Sequence, residues 1–434
     1  LTSDLTQTPR ITIGVLNWNS GPYLEGCLSA IYAQTYSHYQ IHLIDNGSTD
    51  GSVAYVRERF PGVIVHETGR NLGYGAGNNV VLRSMTDDLV LLLNPDVVLS
   101  PDCLARLVEA MAADPAIGIA GCKLWYPGGE ILQHAGGFIT APRAIPNHHG
   151  IGEKDRGQYQ TQRDVDYVIG AAMAIRREAL ATTGLFDEGI FLYFEDSDLC
   201  YRMRRAGYRV VYIPTATATH IESATTQPGS FGYLSRFHTG RWYFLLKHFD
   251  YDILVEGTIP AESTWLEGLG DLERRAVAIA YRATLYNLPN IASVRAQNGA
   301  GPLADAAWNH LEQGLQALVG HASTEMDERF RLAELEKLGT PMTSPFTSTT
   351  PFIGPIIARI RMVWNDMAGR WYIEHLARQQ ATFNRGLIAY LKAMDAELRS
   401  RQTLIEEKTI TQIALRRRAK TLEALVREKK TRSD

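Results

Sequence analysis

Leu89-Val90-Leu91-Leu92-Leu93 is an unbroken apolar run that ends on Asn94-Pro95-Asp96 and resumes as Val97-Val98-Leu99. A short continuous apolar run closed by turn chemistry predicts a strand buried on both faces, which requires a sheet covered by helices on each side. Pro95 has no N–H to give a central ladder, so the strand stops there. Asp96 is thereby placed at the carboxyl end of a buried strand, the edge at which open α/β sheets bind ligands. A carboxylate is costly there unless it meets a cation. Taken alone, it reads more simply as a turn residue capping the next helix.

The flanking chain supplies the rest of such a sheet. Strands are predicted at Ile11 to Leu16, Gln40 to Ile44 and Val63 to His66, separated by helices at Tyr23 to Gln34 and Val53 to Phe60. Strand alternating with helix at this spacing gives βαβ units and a mainly parallel sheet. The strands run into polar clusters, among them Asn17-Trp18-Asn19, Asp45-Asn46-Gly47-Ser48 and Asn94-Pro95-Asp96, and Gly69 to Asn79 reads as a Gly-rich turn. All of them therefore line one edge of the sheet. A helix (Asp102 to Met111) and a strand (Ile117 to Leu124) follow. Residues 127–164 are rich in Gly, His and Pro without a regular period, and are expected to form a long surface excursion. Val165 to Ile175 reads as a strand interrupted at Gly170-Ala171-Ala172, where small residues let another group approach the backbone. Glu195-Asp196-Ser197-Asp198 leads into a basic helix expected from Cys200 to Ala206, and Tyr208 to Ile213 is the last strand, closed by Pro214.

The pattern divides the 434 residues into an α/β domain over 1–230, a helical domain over 231–339, a Thr/Ser/Pro-rich linker over 340–363 and a long helical tail over 364–434. Leu391, Leu398, Ile405, Ala419 and Val426 recur at seven-residue spacing in the tail, a partial coiled-coil seam that predicts a homo-oligomer. A net charge of -3 leaves no basic footprint for nucleic acid. Four cysteines without a C-x-x-C pair suggest neither a disulfide framework nor a zinc site, and fit a reducing, cytoplasmic compartment. No apolar run is long enough for a transmembrane span and no signal peptide is visible, so any membrane contact is expected to be peripheral.

Three carboxylates fall within four residues at Glu195, Asp196 and Asp198. Mutual repulsion raises the pKa of at least one such group, as a general base near neutral pH requires. The neighbouring run Phe191-Leu192-Tyr193-Phe194 favours burial over a solvated helix start. Asp198 can pair with Arg202 at i+4, which makes it structural.

In order, Val15-Leu16-Asn17-Trp18-Asn19, Ile44-Asp45-Asn46-Gly47-Ser48-Thr49-Asp50-Gly51, Asn71 to Asn79, Leu93-Asn94-Pro95-Asp96, Gly170-Ala171-Ala172-Met173, Gly184-Leu185-Phe186-Asp187-Glu188, Phe194 to Leu199 and His220 resemble the inverting family 2 glycosyltransferases, especially their rhamnosyltransferase and galactofuranosyltransferase branch. The resemblance covers roughly residues 10–225 and implies a GT-A (Rossmann-like) fold. It implies a nucleotide-sugar donor, dTDP-rhamnose or a UDP-sugar, and a glycan or lipid-linked acceptor. It places Asn17, Asp45, Arg70, Asn71, Gly77, Asn78, Asn94 and Asp96 about the donor, with Asp45 on the nucleoside. The family's Asp-x-Asp metal motif reads Asn94-Pro95-Asp96 here, leaving Asp96 and His220 as ligands of a divalent cation. An imidazole ligand tilts the choice from Mg²⁺ to Mn²⁺. By family position Asp196 is the base, and Glu195 is an acceptor ligand or a second candidate base. A nucleotidyltransferase would carry a Gly-rich loop with Arg and Lys where Asn17-Trp18-Asn19 stands.

Overall fold

The computed structural model describes residues 9–222 and 229–322. The linker and tail, with the heptad residues and the oligomerisation assigned to them, lie outside the described residues. The chain begins with β1 (Ile11–Asn17), α1 (Gly21–Tyr32), β2 (Tyr39–Asp45), α2 (Ser52–Arg59), β3 (Ile64–Glu67), α3 (Tyr74–Ser84) and β4 (Leu89–Leu93). Next come β5 (Val97–Leu99), α4 (Cys103–Ala113), β6 (Ile117–Trp125), β7 (Leu132–His134), β8 (Gly137–Thr140), β9 (Ile145–His148) and β10 (Arg163–Asp164). The α/β part ends with β11 (Ala172–Arg176), α5 (Arg177–Thr183), α6 (Glu195–Arg205) and β12 (Arg209–His220). Helices α7 (Phe231–His248), α8 (Ile259–Glu267), α9 (Asp271–Asn298) and α10 (Asp305–Ala322) follow, with a π-helical stretch at Ile253–Thr258.

The strands order as β10-β12-β6-β11-β4-β1-β2-β3. β1 pairs in parallel with β2 and β4, β2 with β3, and β12 with β6, while β11 runs antiparallel to both β4 and β6. The sheet is thus mixed and mainly parallel, as its helix-covered apolar strands require. All five residues of β4 are buried, with α1 and α4 packing on one face and α3 and α6 on the other. Because β11 is reversed, its amino end, with Gly170 and Ala171 just before it, shares an edge with the carboxyl ends of β1, β2, β4 and β12.

Several local expectations are corrected. Residues 127–164 are a surface excursion only in part: 151–164 stay at the surface, but β7 pairs with β6, β10 with β12, and Leu132, Gln133, His134, Ala135 and Ala144 are buried. Strands of two to four residues carry no detectable period; β7 and β10 exist through their pairing with β6 and β12, and β8 and β9 through pairing with each other. β11 starts at Ala172, not Val165. α6 begins at Glu195, so the acidic residues form its first turn, where the helix dipole favours negative charge. β12 continues through Pro214 to His220, because the register with β6 shifts between Ile213 and Thr217 and no ladder donor is needed there. The Gly-rich stretch is a turn only to Gly73, after which α3 begins. A Cβ on Gly75 would meet Phe186 Cβ at 2.9 Å and one on Gly77 would meet Leu16 Cδ1 at 2.6 Å, so both are close-packing helical positions.

The helices beyond residue 230 are tied to the α/β part by two buried ionic centres. Glu262 takes a bidentate pair from Arg241 at 2.8 and 2.7 Å, the Tyr281 hydroxyl at 2.7 Å and Arg143. Asp198 receives Arg202 at 2.8 Å, Lys247 at 2.6 Å and His248 at 2.7 Å. Burial pushes the Asp198 carboxyl up, but these three groups outweigh it and hold it well below the usual carboxylate range. Among the described residues no helix is long and apolar enough to cross a membrane.

Candidate active site

The polar edge of the sheet opens into a cavity of about 680 Å³. Its walls include Asn71, Asn94, Asp96, Glu195, Asp196 and His220, six of the residues singled out from the sequence. Asp96 follows the end of β4 and is buried, and His220 ends β12 beside it because β12 pairs with β5 at Val97. His220 Nε2 lies 3.4 Å from Asp96 Oδ1. Donors on adjacent corners of an octahedron with bonds of roughly 2.1 Å stand about 3 Å apart, so this pair fits one cation with little adjustment. Among the described residues no three His, Cys, Asp or Glu side chains gather that could hold a metal unaided. A cation here would take further oxygen ligands from a bound molecule.

Across the cavity, Asp196 Oδ2 accepts from Gly170 N at 3.1 Å, and its Oδ1 accepts from Ser197 N at 2.6 Å and Ser197 Oγ at 3.2 Å. The group that approaches the small residues at Gly170 is thus the Asp196 carboxylate, together with the Tyr74 hydroxyl on Gly170 O. Burial raises the Asp196 pKa, and the Ser197 and Gly170 hydrogen bonds oppose it. Glu195 is more deeply buried, and its Oε2 has no hydrogen-bond partner among the described residues. Burial, then the Asp196 charge, pushes its pKa well above the usual range. Both carboxyls are thus raised, Glu195 the more strongly, and the hydrogen bonds to Asp196 favour the negative charge there.

The other five sequence-selected residues stand behind the wall. Asp45 Oδ1 accepts from Asn17 Nδ2 at 3.0 Å and its Oδ2 from Ser48 N at 3.1 Å, which fixes the turn after β2. Asn78 is buried in α3 and donates to Tyr74 O at 3.1 Å, Gly77 packs on Leu16, and Arg70 is exposed. The aromatic run before α6 is only partly buried: Phe194 is enclosed, whereas Phe191 is 49% exposed at the cavity.

Wall residues that the sequence did not single out include Asn46, His148, Tyr167, Tyr233 and Arg236. Asn46 adjoins Asp45 and crosses to Asn71 Oδ1 at 3.0 Å, a contact that the polar-cluster rule could have suggested. His148 is held neutral by burial, its pKa pushed down to about 4, and Nδ1 lies 3.0 Å from His134 Nδ1. No sequence signal marks it, because it comes from a strand without a period. Tyr233 and Arg236 come from α7, so the helical region closes one side of the cavity.

Residues 12–184 match the family described as Glycosyl transferase family 2. The chain carries a family 2 glycosyltransferase domain. The N-acetylglucosaminyl-diphospho-decaprenol L-rhamnosyltransferase of Mycobacterium tuberculosis is 29% identical over 259 residues, spanning 55% of this glycosyltransferase and 84% of that protein. Rhamnosyltransferase WbbL of Escherichia coli is 25% identical over 197 residues, spanning 42% and 73%. The structure of mannosyltransferase PcManGT from Pyrobaculum calidifontis, with GDP-Man and Mn²⁺, is 20% identical, covers 74% of this chain and 88% of its own, and aligns with a TM-score of 0.43. The mixed, mainly parallel sheet flanked by helices is the arrangement that the resemblance to this family implied. The family match ends at residue 184, so the acidic pair, His220 and α7 of this glycosyltransferase lie beyond it.

Proposed function

We propose that this glycosyltransferase moves rhamnose from dTDP-rhamnose onto a growing surface polysaccharide or a lipid-linked glycan, by a metal-dependent inverting displacement. The observation that carries the reading is that Asp96 and His220 share one cavity with Asp196 and Glu195, which leaves room for a leaving group and a base about one reacting carbon. The sugar is supported by the names of the mycobacterial and Escherichia coli relatives, and the lipid-diphosphate type of acceptor by the mycobacterial name alone.

Asp96 and His220 would hold Mn²⁺ or Mg²⁺, which supplies charge neutralisation to the departing diphosphate. Phosphate oxygens would complete the coordination that two side chains cannot. Asp196 acts as base on the acceptor hydroxyl: it opens to the cavity, stays ionised through three hydrogen bonds, and its raised pKa brings it nearer the working pH. Glu195, whose pKa burial raises further, donates a hydrogen bond to the acceptor when protonated and is the second candidate base. Asn71 and Asn94 contact the donor from the wall, Asn17, Asp45 and Arg70 shape the loops about it, and Gly77 and Asn78 the helix behind it. Self-association is assigned to the tail over 364–434.

The test is turnover of a panel of dTDP- and UDP-sugars with Mn²⁺, with Mg²⁺ and with EDTA. Turnover of dTDP-rhamnose that EDTA abolishes, and that Asp96→Ala loses by several kcal/mol of transition-state stabilisation, is expected. Preference for a UDP-sugar such as UDP-galactofuranose would replace the donor. Turnover indifferent to EDTA would remove the metal, and no turnover of any donor would leave a silent assembly module.

A further inference from the structure

We propose that Gln133 and Glu222 are positioning residues that lock His220 in the one tautomer able to bind a cation beside Asp96. The inference rests on the metal reading above and adds to it two residues outside every matched motif. His220 Nδ1 lies 2.8 Å from Gln133 Oε1, and Gln133 Nε2 donates to Glu222 Oε2 at 3.2 Å.

The direction of this chain follows from what each group can do. A carboxylate only accepts, so Glu222 requires the NH₂ end of the Gln133 amide. That leaves the carbonyl end for His220, and a carbonyl accepts too. The proton of a neutral His220 is therefore on Nδ1, and Nε2 presents its lone pair toward Asp96 Oδ1 at 3.4 Å. Imidazole binds metals through a bare ring nitrogen, and the hydrogen bond on the other nitrogen sets which one is bare.

Two features show that the relay is built into the fold. Gln133 is 4% exposed and sits in β7, whose neighbours Leu132 and His134 pair with Trp125 and Leu124 of β6. Its amide has little water to turn to, so its orientation depends on Glu222. Glu222 adopts φ +56, a left-handed conformation that a residue with a side chain rarely takes. This places its carboxylate back over β7, two residues after the ligand it helps to orient. The Tyr126 phenol stands against both side chains, its pKa raised by burial and by the Glu222 charge. Gln133 is absent from the cavity wall, so it acts through His220 and does not touch substrate, whereas Glu222 also borders the cavity.

Mn²⁺ binding to the full chain, read by the electron paramagnetic resonance of free Mn²⁺ with UDP or dTDP present, tests the relay without turnover. Gln133→Leu is expected to weaken Mn²⁺ binding by roughly 10- to 100-fold. Gln133→Glu alone sets two carboxylates against each other and should also weaken it. Gln133→Glu combined with Glu222→Gln reverses the donor and acceptor, keeps an acceptor on His220, and should recover affinity to within about threefold of the original. Thermal unfolding of each variant separates lost orientation from lost fold. Unchanged Mn²⁺ affinity in Gln133→Leu overturns the proposal. So does a weakened Gln133→Leu that the swapped pair fails to rescue, because Gln133 then matters only for packing. If the original chain binds Mn²⁺ and His220→Ala binds it equally well, the metal reading itself falls and the relay with it.

Discussion

Replacing Gly240 with alanine separates what a helix prefers from what this fold tolerates. Glycine inside a helix is less favourable than alanine by roughly 1 kcal/mol, so Gly240→Ala in α7 should stabilise if only the helix mattered. An alanine Cβ there would lie 2.3 Å from Tyr193 O, 3.2 Å from Tyr193 C and 3.4 Å from Phe194 Cβ. Carbon–oxygen contacts settle near 3.3 Å, so the chain must yield by about 1 Å. Tyr193 and Phe194 already hold left-handed φ values of 69° and 74°, which leaves them little freedom to rotate away. The next residue, Glu195, opens α6 and precedes Asp196, so displacement passes to the proposed base. Overpacking of this kind costs about 1–3 kcal/mol, and a 1 Å misplacement at a reacting group costs about 100-fold in rate. Urea unfolding and transfer rates measured together provide the assay, with nucleotide affinity expected to stay within a fewfold because Asp96 and His220 lie on other elements. An alanine variant that is more stable and equally active would refute the reasoning and show that α7 does not brace the acidic turn.

Asp196→Asn should lose about 10²- to 10⁴-fold in transfer yet bind donor nucleotide normally by calorimetry, because the amide keeps the shape but accepts no proton. Activity in Asp196→Asn together with a dead Glu195→Gln would move the base to Glu195. The acid limb of kcat/KM should lie above the range of an ordinary aspartate, since burial raises Asp196 and the base works only when ionised. Glu262→Gln leaves the fully buried Arg241 charge uncompensated and should cost about 3–5 kcal/mol in urea unfolding. Burial raises Glu262, but Arg241 and then Arg143 pull its pKa down to about 2 from 4.5. A depressed carboxyl contributes stability above its unfolded pKa, so about 3 kcal/mol present at neutral pH should fade between pH 4.5 and 2, and Glu262→Gln should flatten that decline.

The sequence by itself determined the sheet and its working edge. Continuous apolar strands such as Leu89 to Leu93 have no stable place except between two helical layers, and Pro95, with no N–H to give the ladder, ends β4 before Asp96. Asp96 and the Glu195-Asp196 pair were legible for that reason: local chemistry at a strand or helix end depends on neighbours in sequence. The tertiary structure decided what those neighbours could not. The short strands from 127 to 164 have no period, yet pairing with β6 buries Gln133 next to His220. Pro214 reads as a terminator, yet a register shift lets β12 carry on to His220. Gly75 and Gly77 read as a turn, yet Phe186 and Leu16, contributed by α3's partners in the fold, make them packing positions in a helix. Tyr233 and Arg236 carry no motif, and they line the cavity because Glu262 and Asp198 anchor the helical region against it. Periodicity records which face of an element is covered; it holds no information about which distant element does the covering.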